Sequence, residues 1–63
     1  MNVRSFINNM KNMTTAITFL VCWNGYTEVF TKEQLEDLVY LWGAEPVKNY
    51  FMVNTREMMI NIA

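Results

Sequence analysis

The dipeptide Asn24-Gly25 stands between two runs rich in β-branched and aromatic residues, and it constrains the fold more than any other feature of the chain. Both residues tolerate positive φ, as the two central positions of a type I′ turn require, and the twist of that turn matches the twist of the strands leaving it. The run before it, Thr14 to Trp23, contains Ile17, Phe19, Val21 and Trp23; the run after it is Tyr26 to Thr31. The pattern predicts a β-hairpin. A two-residue loop also sets the register and therefore the faces. Trp23 falls opposite Tyr26, Val21 opposite Glu28 and Phe19 opposite Phe30 on one face; Leu20 opposite Val29 and Cys22 opposite Thr27 share the other. The face with the larger aromatics is expected to meet a helix, and the second carries enough apolar surface to need partial cover.

That helix follows directly, from about Lys32 to Trp42. Thr31 serves as N-cap and Gln34 stands three residues on, the T-x-x-Q capping box, with Phe30 and Leu35 as the hydrophobic staple. Leu35, Leu38, Val39 and Trp42 recur at i, i+3, i+4 and i+7, one apolar stripe. Glu33, Glu36 and Asp37 take the other side, and Glu33 also suits the positive helix start. Gly43 reads as the left-handed residue that ends the helix, and Pro46 prevents its resumption. Phe30 closes the second strand and staples the helix, so ββα is expected to behave as one unit.

The flanks are less sharply written. Val3, Phe6, Ile7 and Met10 share one helical face, while Asn8, Asn9 and Asn12 are poor helix formers. Residues 1–13 are read as an N-terminal extension or short amphipathic helix beside one small α+β domain over 14–63, with Met13 a second candidate start. Tyr50 to Val53 reads as a strand. In residues 55–62, Met58, Ile60 and Ile62 alternate as in a strand, whereas Asn54 with Glu57 offers a capping box for a short helix instead. The fold class expected is α+β, a small single-layer antiparallel sheet packed on one helix, in the order (α)ββαββ.

Composition narrows what such a domain can do. With 63 residues the chain buries only about 60% of its unfolded surface, and domains of this size commonly need a staple. One cysteine and no histidine leave neither an intrachain disulfide nor an ordinary structural zinc site. A dense core or self-association remains, and the hydrophobic fraction of 52% suits both. A net charge of −1 supplies neither the basic patch that duplex nucleic acid demands nor the acidic excess of a DNA mimic. No secretory leader or membrane-length apolar run is read, and a lone cysteine fits a reducing compartment, so the cytoplasm is expected, that of a host if the chain is viral.

Catalytic constellations are missing from the pattern. No histidine is available as general base, Cys22 sits mid-strand among apolar neighbours, and two glycines cannot build a phosphate loop. No enzyme activity, cofactor or metal is therefore expected. The aromatics, at 14%, exceed what so small a core easily absorbs. Trp23 and Tyr26 beside the turn, and Tyr40 on the far side of the helix from Leu35 and Leu38, are the candidate protein-contact residues, with Glu33, Glu36 and Asp37 as an acidic flank. Met52, Met58 and Met59 read as gap-fillers. The expected function is a non-catalytic module that binds a larger protein, in the manner of small phage or mobile-element proteins that inhibit or redirect a host protein. A structural homo-oligomer, such as a homodimer formed through an edge strand or the second sheet face, is the alternative. Single-stranded nucleic-acid binding rests on the aromatics alone, and the hairpin strands contain no basic residue to support it.

Overall fold

A computed structural model describes all 63 residues of the chain. In order, the elements are α1 (Val3–Met10), β1 (Thr18–Trp23), β2 (Tyr26–Thr31), a 3₁₀ turn (Lys32–Gln34), α2 (Leu35–Trp42), β3 (Val47–Met52) and β4 (Glu57–Ile62). The α+β class and the order (α)ββαββ are as the sequence implies, and the last element is a strand. The four strands form one sheet in the order β2-β1-β4-β3.

The hairpin is built as its turn dictates. Asn24 and Gly25 both have positive φ, 50° and 83°, and every pair expected from a two-residue loop is present, Trp23 with Tyr26 through Thr18 with Thr31. Its second strand runs into the helix through Thr31, whose N–H donates to Gln34 Oε1 at 3.0 Å. The first turn of that helix is 3₁₀ before α2 proper begins at Leu35.

Two expectations are corrected. The sheet is mixed, not wholly antiparallel: β1 pairs with β2 antiparallel but with β4 parallel, and β3 pairs with β4 antiparallel. The physical reason lies in the strands themselves. Met58, Ile60 and Ile62 of β4 are all buried, which suits a central position, whereas β3 carries Lys48 at a break in its register and takes an edge. The second correction is that two helices, not one, cover the sheet, and both lie on the same side. Val3, Phe6 and Ile7 of α1 are buried with Ala16, Phe19, Val21, Phe30, Leu38, Met58, Ile60 and Ile62 in a single core. Leu35, Val39 and Trp42 of α2 pack against it.

The helix α1 is held at its start by Asn2, whose Oδ1 accepts from Ser5 N–H at 2.9 Å; asparagine is a poor helix former inside a helix and a strong one as a cap. Its first free N–H groups turn to the segment after α2: Val3 donates to the Glu45 carbonyl at 2.9 Å and Arg4 to the Gly43 carbonyl at 3.0 Å. Gly43 itself is not left-handed. Its φ is −56°, within the right-handed region. A Cβ there would run into the Val39 carbonyl oxygen of α2 itself, with the end of the flexible Arg4 side chain 3.1 Å away, so glycine is required by the path of the backbone at the helix end rather than by handedness. Just beyond, Val47 N–H donates to the Met1 carbonyl at 3.0 Å and Ala63 N–H to the Pro46 carbonyl at 3.1 Å.

The loop from β3 to β4 uses the pair that also spells a capping box. Asn54 Oδ1 accepts from Arg56 N–H at 2.8 Å, and Asn54 Nδ2 donates to Glu57 Oε1 at 2.6 Å. Asparagine thus closes a turn in place of starting a helix. On the side of the sheet away from the helices, the cross-strand partners Val29, Leu20, Met59 and Phe51 form an apolar row over all four strands. Leu20 and Met59 are half-buried, and Val29 and Phe51 exposed.

Candidate functional site

The exposed aromatic surface gathers where the turn end of the first hairpin meets the last turn of α2. Trp23 and Tyr26 lie on the helix-facing side of the sheet but past the point where side chains are fully enclosed, and each remains about half exposed. The helix brings Trp42 to Trp23, with ring centroids 6.4 Å apart and planes at 56°. One residue earlier Leu41 is 57% exposed, and before it Tyr40 is 85% exposed.

Glu28 ties the helix to the strand. Val21 opposite it is fully buried, so Glu28 occupies the sheet face that packs on the helices and is itself half-buried. A carboxylate in such a place needs a donor. Trp42 supplies it: its Nε1–H donates to Glu28 Oε1 at 3.1 Å. A cleft of about 410 Å³ opens there, lined by Trp23, Glu28, Leu41, Trp42 and Glu45. A neighbouring hollow of about 400 Å³ shares Glu28 and Leu41 and continues past Val29, Asp37 and Tyr40. The two form one groove between the edge strand β2 and α2. Glu28, Asp37 and Glu45 give it three carboxylates, and none of the chain's five basic residues lines it.

Of the residues singled out from sequence, Trp23 and Tyr40 line this groove with Asp37, and Tyr26 flanks it across from Trp23. Glu36 does not join them. It lines a separate crevice between the helices with Ile7, Asn8, Lys11, Leu35 and Val39. Successive residues are about 100° apart around a helix, so Asp37 and Glu36 leave α2 toward different neighbours. Glu33 stands exposed in the 3₁₀ turn. The acidic trio is therefore divided, and the carboxylates beside the aromatics are Glu28, Asp37 and Glu45.

Sequence reasoning passed over Glu28, Leu41, Trp42 and Glu45. A signal for the first was present: the hairpin register places one carboxylate on the aromatic face, opposite a valine. Trp42 read as the last residue of the apolar stripe and as one of the surplus aromatics but not as a contact residue, although an indole N–H normally finds an acceptor when buried. Leu41 and Glu45 carried no local signal.

No group of three or more histidine, cysteine, aspartate or glutamate side chains is arranged to hold a metal ion. Cys22 is half-buried on the helix-free face, its Sγ 3.3 Å from Thr27 Oγ1. No helix is long and apolar enough to cross a membrane. Comparison with protein-family models, with curated proteins and with solved structures finds no match to the chain.

Proposed function

We propose that the chain is a non-catalytic protein-binding module that engages a larger protein through the groove between β2 and α2. The observation that carries this reading is the concentration of Trp23, Tyr40 and Leu41, all substantially exposed, along one continuous concave surface. Tryptophan and tyrosine are the usual anchors of protein interfaces, because each buries a large rigid surface at small entropic cost. The groove is bordered by β2, an edge strand whose outer N–H and C=O groups have no strand partner. Inhibition or redirection of a larger host protein is the role this reading favours, in a reducing cytoplasm that suits the single unpaired cysteine. The three carboxylates beside the aromatics argue against nucleic acid, since phosphates would be repelled from the surface on which bases would stack.

Affinity capture with matched variants tests it. Wild-type chain and Phe51→Ser, altered on the opposite face, retain the same partner, and Leu41→Asp loses it. Equal retention by Leu41→Asp overturns the assignment of the groove.

A second reading, self-association, is favoured by the row of Val29, Leu20, Met59 and Phe51 on the helix-free face. The β-strand residues of that face include one carboxylate, Glu57, which already accepts from Asn54. Two copies stacked there, about 10 Å apart as sheets pack, bury little unpaired charge. Sedimentation at micromolar concentration reads a dimer that Phe51→Glu dissociates; a monomer for the wild-type chain removes this reading.

A further inference from the structure

We propose that the cleft between Trp23 and Trp42 receives a cationic side chain, lysine or arginine, projecting from the bound protein, with Glu28 as its counter-charge. This rests on the reading of the β2–α2 groove as a protein-binding surface and specifies what that surface selects.

Geometry and charge point the same way. The two indoles meet at 56° with centroids 6.4 Å apart, tilted against each other rather than stacked, and both line the cleft. Tryptophan is the best aromatic partner for a cation, and the attraction operates within about 6 Å of the ring centroid. A carboxylate stands in the same cleft. Glu28 Oε1 is held by Trp42 Nε1–H at 3.1 Å, while Oε2 makes no hydrogen bond within the protein and is left for an incoming N–H donor. Glu45 adds a second negative charge on the rim, and no lysine or arginine of the chain lines the cleft. The guanidinium of Arg4 packs over Gly43 at the end of α2 and does not line the cleft. The negative charge of the cleft is therefore not neutralised from within. An apolar side chain entering it would desolvate Glu28 without giving it a partner; a cation supplies both the partner and the contact with the indoles.

The test uses a defined probe on the whole chain. Acetyl-Gly-Arg-Gly-amide at millimolar concentration is titrated while the indole Nε1–H resonances of both tryptophans are followed by NMR. The expected result is a saturable shift of both, weakened by salt. The same peptide with citrulline, which keeps the shape and removes the charge, shifts them little. Glu28→Gln retains an acceptor for Trp42 and is expected to weaken binding by about fivefold or more, and Glu45→Gln, on the rim, by less. A lysine peptide is expected to bind as well. Absence of a saturable shift, or equal binding of the citrulline peptide, overturns the proposal. The protein-binding reading fails separately: if capture of the partner is lost in Leu41→Asp but unchanged in Glu28→Gln, the groove stands as the interface and the cationic anchor is wrong.

Discussion

At the scale of single residues, the two glycines do different things. Gly25 has φ of 83° with nothing within 4 Å of a built Cβ, so its demand is purely conformational. Gly43 has an ordinary helical φ, and its demand is purely spatial, because the Val39 carbonyl and the Arg4 guanidinium occupy the place of a side chain. Alanine at position 25 is expected to cost about 1 kcal/mol, the strain of a side chain at positive φ. Alanine at position 43 is expected to cost more, about 1–3 kcal/mol, since a backbone carbonyl cannot step aside without moving the end of α2 away from α1. Urea denaturation of the two variants checks the order, and a smaller loss for Gly43→Ala would contradict it. The end of the helix at Gly43 was legible in the sequence. The reason for glycine was not, because the residue pattern does not show that the Val39 carbonyl would stand where a side chain at position 43 must go.

Among the elements, α1 has the weakest sequence signature and one of the largest structural shares. The i, i+3, i+4, i+7 pattern of Val3, Phe6, Ile7 and Met10 is readable, and the asparagines argue against it. What decides the matter is tertiary. Three of the eleven core residues come from α1, and its leading N–H groups bond to the segment that follows α2. A domain of this length has a total stability of about 3–9 kcal/mol. Ile7→Ala alone is expected to remove about 2–4 kcal/mol of it. Beginning the chain at Met13 removes all three side chains, and that version is expected to show little cooperative thermal transition by circular dichroism. The hairpin and α2, by contrast, were legible almost residue by residue, because a two-residue turn and a capping box are local devices. Residues 54–57 were ambiguous for the same reason: the asparagine that caps a helix also closes a turn, and the alternation of Met58, Ile60 and Ile62 tips the balance.

For the whole molecule, the decisive event is the pairing of β1 with β4. The apolar side chains of β4 mark it for a central place, but which strand it pairs with, across more than thirty residues of intervening chain, is not written in any local pattern. The same holds for the groove. Trp23, Tyr40 and Asp37 could be chosen one by one as exposed candidates, but their assembly with Glu28, Trp42 and Leu41 exists only once α2 has folded back across β2. Central β1 and β4 are expected to hold the slowest-exchanging amides, with β2 and β3 exchanging sooner, as measured by native-state hydrogen exchange. Faster exchange in β4 than in β3 would argue against this strand order.

Pro46 and Val47 hold the Ala63 N–H and the Met1 carbonyl respectively, so the first and last residues of the described chain meet on one dipeptide. The C=O and N–H of that one peptide unit point in opposite directions, so Met1 and Ala63 flank it on its two sides, about two strand spacings or 10 Å apart. A short glycine-rich bridge from residue 63 to residue 1 would close the chain into a ring, and cutting the backbone at the exposed Asn24-Gly25 tip would leave every core residue in place. Such a circular permutant would present two free termini beside Trp23 and Tyr26, where reporter groups could sit within reach of whatever occupies the groove.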